Sequence, residues 1–290
     1  MGKKELDMKT RNALGGSFVS LTDGYTHYEL SGKRDAKTVV LIHGNAAPIC
    51  SWDYTVGALV NAGYRVLRYD VFGHGYSDRP KYETYDRDLY DRQLSELLEK
   101  LNIKTPVYLV GTSQGGSIAA YFVAHHAGCV EKMALLAPLY DEFDGQKNVA
   151  FIKSKLGSML MKLAGDKAFA NPSRVLYSDE KKQELADKLM KQLAFEGKRR
   201  AVLANLRGNS VEDASEYYQE IRKQQIPLFL TWGDHDNSIP KLSMDRLINL
   251  LPDTEFHLIQ GASHLAHYEF PEKVNPQLIR FFNDSIRAHR

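Results

Sequence analysis

The order of elements along the chain predicts an α/β fold: a mainly parallel central sheet with helices on both faces, plus an inserted helical cap. Three observations predict it. Short runs of β-branched and apolar residues, each ended by glycine, recur between stretches of helical periodicity. Residues 141–225 break that alternation with helical periodicity, many Lys and Arg, and little that reads as strand. The alternation then resumes from residue 226 to near the C-terminus. The predicted division is a core of residues 1–140 and 226–290 with a cap, or lid, of residues 141–225. Such a cap would cover the carboxyl edge of the sheet, where open α/β sheets bind ligands.

The elements follow in order. SFVSLTDGYTHYEL (17–30) holds a Thr-Asp-Gly turn between two strand-like runs and predicts an opening hairpin. KTVVLIHG (37–44) reads as a strand buried on both faces. A helix is expected at 53–62, then a strand and loop in YRVLRYDVFG (64–73). Leucines at 89, 94, 97, 98 and 101 form a helical stripe in residues 85–101. PVYLVG (106–111) is a strand, residues 114–127 a helix, and VEKMALLAP (130–138) a strand again. After the cap come a strand at 226–234, a helix near 240–250, a strand at 254–261 and a helix near 271–287.

Composition excludes several functional classes. The 290 residues are 43% hydrophobic and 26% charged, enough apolar material for a sizeable core. A formal net charge of +2 and the lack of a basic stripe interleaved with aromatics argue against a nucleic-acid partner. The polar start MGKKELDMKTRN has no following apolar stretch of the secretory kind. No apolar run approaches the ~18 residues of a membrane span. Cys50 and Cys129 lack metal-ligand spacing and read as packed, reduced thiols, although the sequence leaves a disulfide between them open. A cytoplasmic protein is expected.

The motif G-x-S-x-G occurs once, at Gly111-Thr112-Ser113-Gln114-Gly115, between a buried strand and a helix rich in small residues. A sharp strand-to-helix turn would lift the Ser113 hydroxyl above the sheet edge, whereas a plain helix cap would spend it on the first turn. A serine needs a base to be nucleophilic, and the base needs an orienting group. Of ten histidines, His264 in QGASHLAHYEFP (260–271) follows a strand at the correct edge, with His267 its local rival. TWGDHDNSIP (231–240) offers Asp236 as the orienting carboxylate and Asp234 as the alternative. Pro240 near the start of the next helix makes Asp236 a poor helix cap. Two N–H donors for a developing oxyanion are expected from Gln114, opening its helix, and from Asn45 in LIHGNAAP (41–48). His43, His74 and Asp78 are expected to hold loops.

In this order, HGN (43–45), YDVFGHGYSDRP (69–80), GTSQGG (111–116), WGDHDNSIP (232–240) and GASHLAHYEFP (261–271) resemble the α/β-hydrolase fold family over residues 17–287. The wording is similar to the branch of esterases, monoacylglycerol lipases and meta-cleavage-product hydrolases. The resemblance implies Ser113 as nucleophile, His264 as base and Asp236 as acid. It also implies an oxyanion hole from the Asn45 and Gln114 amides, and no metal or organic cofactor. Serine at the elbow disfavours haloalkane dehalogenase chemistry, which places Asp there, and HGNAA departs from the HGGPG loop of proline iminopeptidases. The expected reaction is hydrolysis of a carboxylic ester, a small-molecule acyl ester such as a monoacylglycerol or another, by a carboxylesterase- or lipase-like route through the Ser-His-Asp triad and an acyl-enzyme. The alternatives are C–C bond hydrolysis of a meta-cleavage product and, in another class, a slow-turnover receptor on the same fold. FIKSKLGSMLMKLAG (151–165) reads as a cap helix with an apolar face that packs on its own domain, binds an acyl chain or touches lipid. In KRRAVLANLRG (198–208), Arg199, Arg200 and Arg207 are open to the same readings or to a solvated face.

Overall fold

The computed structural model describes residues 3–141, 154, 157, 159, 171–173 and 175–284. The amphipathic stretch at 151–165 and the tail after Asp284 lie almost wholly outside them.

Among the described residues eight strands form one sheet. β1 (Ser17–Leu21) and β2 (Gly24–Ser31) are the expected hairpin, with Leu21 paired to Gly24 across the turn. β3 (Thr38–Ile42), β4 (Arg65–Tyr69), β5 (Val107–Thr112), β6 (Val130–Leu136), β7 (Leu228–Gly233) and β8 (Glu255–Ile259) follow. Their spatial order is β1-β2-β4-β3-β5-β6-β7-β8. β2 runs antiparallel to β4, and every pairing from β4 through β8 is parallel.

The strands in the middle are apolar throughout because both faces are covered. Along β3, Val40 and Ile42 enter one core layer, while Val39 and Leu41 enter the layer on the opposite face. The first layer packs against α3 (Arg87–Lys100) and α4 (Gln114–His125). In α3, Leu89, Leu94, Leu97 and Leu98 are buried as their spacing predicts, and Asp86 caps the helix by accepting the Leu89 N–H. The second layer packs against α2 (Asp53–Asn61) and the C-terminal helix Pro271–Asn283. One short helix, α1 (Met8–Ala13), is capped by Asp7 through the Thr10 N–H and was not among the expected elements.

Between β6 and β7 lie α5 (Asp179–Leu193), α6 (Lys198–Arg207) and α7 (Ser215–Gln224). In α5, Asp179 and Glu180 open the helix and Lys191 lies in its last turn, charges that suit its dipole. Its Leu185, Leu189 and Leu193 recur every four residues and form a third apolar cluster. That cluster includes Ala47 on the core side, with Cys50 and Tyr54 packed against it, together with Leu265 and Tyr268 beyond β8. An ion-paired group anchors the same helix: Lys188 donates to Asp53 at 2.7 Å and to Glu184 at 2.6 Å, while Tyr54 donates to Glu184 at 2.6 Å. Tyr218 and Ile221 of α7 belong to the apolar layer that holds α4. After β7 come α8 (Lys241–Leu250), the short α9 (Ala266–Glu269) and α10 (Pro271–Asn283). No helix among the described residues is long and apolar enough to cross a membrane.

Candidate active site

Ser113 follows β5 immediately and stands at the cap position of α4, with φ 54° and ψ −126°. A residue with a β-carbon rarely adopts positive φ, and holding it there costs ~1–3 kcal/mol. The Ser113 hydroxyl makes no capping bond to the helix it precedes. The turn is held instead by the backbone. Ser113 donates to Leu136 O, and its own carbonyl accepts from Gly116 and Leu139.

The neighbouring glycines are required by close approach. A β-carbon on Gly115 would lie 2.3 Å from Ile42 O, and one on Gly116 would lie 2.4 Å from Pro138 Cβ. A β-carbon on Gly44 would lie 2.7 Å from Ser113 Cβ and 3.3 Å from its Oγ, so the loop after β3 passes directly beside the serine. His43 fixes that loop. Its Nδ1–H donates to Gly44 O at 2.8 Å, and Nε2 accepts the Val71 N–H at 3.0 Å. Complete burial lowers the His43 pKa despite the opposing charge of Asp70, which suits this neutral tautomer. His74 donates from Nε2 to Asn45 Oδ1 at 3.0 Å. Burial, reinforced by Lys198 and His43, lowers the His74 pKa well below the ordinary value. Asp78 accepts the Tyr25 N–H and pairs with Arg11. The expectation that His43, His74 and Asp78 hold loops agrees with these contacts.

The loops after β7 and β8 are bonded to each other. His235 N–H donates to Ala262 O at 2.9 Å, and Gly261 N–H donates to Asp234 Oδ1 at 2.7 Å. A β-carbon on Gly233 would lie 2.2 Å from Ser263 O. Within this double loop, His264 Nδ1 meets Asp236 Oδ2 at 2.8 Å, with both side chains almost wholly buried. Asp236 Oδ1 accepts the Ser238 and Ile239 N–H groups at 2.7 and 3.1 Å. The two carboxylates therefore differ. Asp234 ties loop to loop, whereas Asp236 holds an imidazole. His267 is fully buried and packs on Trp52 with ring centroids 4.4 Å apart and planes tilted by 30°. Among the described residues His264 and Asp236 are joined directly, and no hydrogen bond links Ser113 to His264. Asn45, Gln114, Ser113 and the His264 loop all leave the same edge of the sheet.

Two residues that the sequence reading missed support this region. Glu269 is buried, accepts the Ser263 N–H at 2.9 Å, and accepts the Tyr177 and Ser178 N–H groups at 2.6 Å each. It thus ties the His264 loop to the start of α5. Asn205 of α6 is buried against Gln114 and reaches Asn45. Neither role has a local signal, because the partners lie far away in sequence. Cys50 and Cys129 are free thiols, and burial pushes the Cys50 pKa up to about 12. No group of three or more His, Cys, Asp or Glu among the described residues could hold a metal ion. A groove of about 280 Å³, lined in part by Tyr82, Arg200 and Leu203, contains none of the predicted site residues.

A sheet of this order, with a strained serine after β5 and a His–Asp pair in the last two loops, defines a hydrolase of the α/β class. Residues 37–271 match the alpha/beta hydrolase fold family, and the chain belongs to it. It is similar to a 2-hydroxy-6-oxononadienedioate/2-hydroxy-6-oxononatrienedioate hydrolase of Paraburkholderia phymatum, 27% identical over 282 residues, covering 93% of this chain and 96% of that protein. It is also similar to the carboxylesterase YbfK of Bacillus subtilis, 23% identical, covering 93% of this chain and 88% of the other. The crystal structure of a bromoperoxidase from Bacillus anthracis shares the fold with TM-score 0.76 and 24% identity, covering 93% of this chain and all of that one.

Proposed function

We propose that the chain is a serine hydrolase of carboxylic esters that works through an acyl-enzyme. The observation behind this reading is the buried His264 Nδ1–Asp236 Oδ2 contact of 2.8 Å, at the edge where Ser113 leaves its hydroxyl unspent. In this reading Ser113 Oγ attacks the ester carbonyl carbon and His264 Nε2 takes its proton. Asp236 accepts the Nδ1–H and stabilises the imidazolium. The N–H groups of Asn45 and Gln114 stabilise the tetrahedral oxyanion. Collapse expels the alcohol, which leaves with the proton from Nε2. Water, deprotonated by His264 Nε2, then attacks the acyl carbon, and collapse releases the acid as Ser113 Oγ leaves and takes the proton back from Nε2. In this reading Ser113 Oγ and His264 Nε2, which share no hydrogen bond in the structure, come within hydrogen-bond reach when substrate binds. The segment 141–225 serves as the cap in this reading.

The test is a panel of p-nitrophenyl esters of graded acyl length, with Ser113→Ala as the blank. Turnover in that variant should drop by ~10⁴ or more; undiminished turnover rejects the reading. A second reading, C–C bond hydrolysis, draws on the dienedioate hydrolase relative, whose likeness spans 93% of the chain. Faster turnover of a 2-hydroxy-6-oxo-dienoate than of every ester would select it.

A further inference from the structure

Asn205 lies on α6, in the segment between β6 and β7, and is fully buried. Its amide has every hydrogen-bonding position occupied. Nδ2–H donates to Asn45 Oδ1 at 3.1 Å and to Gln114 Oε1 at 3.2 Å. Oδ1 accepts from Gln114 Nε2 at 2.6 Å, from Tyr90 Oη at 2.9 Å and from Ser210 Oγ at 3.0 Å. The Asn205 and Gln114 amides thus form a reciprocal pair. The other Gln114 Nε2 hydrogen goes to Ser210 Oγ at 2.8 Å. His74 closes the far end of the network on Asn45 Oδ1.

Asn45 and Gln114 are the two residues whose backbone N–H groups serve as oxyanion donors in the reading above. Asn45 lies in the loop after β3 and Gln114 in the first turn of α4, and the Asn205 side chain bridges the two. Aiming a donor at a developing charge demands a fixed backbone, and a fully satisfied buried network supplies that rigidity. We propose that Asn205 is a positioning residue for the oxyanion hole, holding Asn45 and Gln114 in register through one amide. The inference rests on the serine-hydrolase reading. It also gives α6 a part in catalysis without any contact to the reacting atoms.

The experiment compares Asn205→Asp and Asn205→Leu with the parent protein. It measures kcat and KM on p-nitrophenyl esters, thermal melting, and affinity for an aryl trifluoromethyl ketone, which forms a tetrahedral oxyanion on serine. Asp keeps the acceptor but replaces the two donated hydrogens by an oxygen facing Asn45 Oδ1 and Gln114 Oε1. The expected result is kcat lower by ~10–100-fold with KM within about 3-fold, and ketone affinity falling in parallel. If the Leu variant does not fold, the Asp variant and Ser210→Ala decide, the latter with a smaller loss in the same direction. Folded variants that melt lower but keep kcat and ketone affinity within about 2-fold of the parent overturn the inference. Ser113→Ala separates the two layers. Retained turnover there removes the serine reading and this inference together. An inactive Ser113→Ala beside unaltered Asn205 variants removes the inference alone.

Discussion

His264 and Asp236 meet through Nδ1 and Oδ2 at 2.8 Å with both side chains almost wholly buried. The second oxygen of Asp236 is already committed to the Ser238 and Ile239 N–H groups. An amide that keeps its oxygen on those N–H groups presents its NH2 to Nδ1, so the imidazole takes the opposite tautomer and Nε2 carries the proton it should accept. Asp236→Asn should lower kcat by ~10³–10⁴. Asp234→Asn keeps an oxygen for the Gly261 N–H and should stay within roughly 3-fold of the parent. Steady-state ester kinetics distinguish the two, and equal losses would undo the assignment.

Space beside the serine makes a second prediction. Gly44→Ala would place a β-carbon 2.7 Å from Ser113 Cβ and 3.0 Å from Thr112 O, so the loop after β3 or the elbow must shift. Activity should fall at least ~10-fold, since small displacements of a catalytic geometry are costly. Gly57 in α2 has nothing within 4 Å of its would-be β-carbon. Gly57→Ala should leave activity intact and stabilise by about 1 kcal/mol. Kinetics and urea unfolding of both proteins check the contrast.

His267 makes stability depend on acid. Burial, helped by the charge of neighbouring His264, lowers its pKa from 6.5 to about 3. Between those values the unfolded chain takes up a proton that the folded chain refuses. Stability is therefore lost as pH falls below about 6.5, with a slope of at most ~1.4 kcal/mol per pH unit. His267→Phe, which can keep the packing on Trp52, should lose about 1–2 kcal/mol less than the parent between pH 7.5 and pH 5. Parallel acid losses in urea titrations would contradict this.

Lys198 does the same at the alkaline end. Its ammonium is buried at the start of α6, and its Nζ donates to Gly73 O at 3.3 Å. Burial, with Arg79 adding to it and Asp70 opposing, lowers the pKa from 10.5 to about 7. As pH falls from 10.5 towards 7 the unfolded chain gains a proton before the folded chain does. Folding is thus penalised at neutrality and relieved as pH rises. Lys198→Met should melt a few degrees higher than the parent at pH 7, with the gap narrowing by pH 9.5. A gap independent of pH would show that the gain comes from packing alone.

Much of this structure was legible because its signals are local. The Thr22-Asp23-Gly24 turn, the unbroken apolar run of β3 and the leucine stripe of α3 each state their own conformation. The placement of Ser113, Asp236 and His264 just past three strands was legible for a related reason: the element order assigns all three loops to one edge. Asn205 and Glu269 were not legible. An asparagine inside a helix and a glutamate before a Phe-Pro pair look like surface residues until Gln114, Asn45, Ser263 and Ser178 arrive from elsewhere in the chain. In α6 the charges of Arg199, Arg200 and Arg207 dominate the sequence, and nothing local marks the buried side of the helix, where Ala201, Ala204 and Asn205 lie. The short α1 carried a real cue in Asp7, but six residues offer too little periodicity to read.

The strand order has a kinetic corollary. Ser113 follows the fifth strand, Asp236 the seventh and His264 the eighth, with the sixth strand lying between the first two. A nascent or refolding chain that has zipped together only its first five strands already owns an ordered sheet and a serine elbow, yet no imidazole can attend it. Such long-separation pairings form slowly because the intervening chain must first be gathered in. On the serine-hydrolase reading, catalytic competence should thus be among the last properties to emerge, trailing secondary structure and even much of the burial of Trp52.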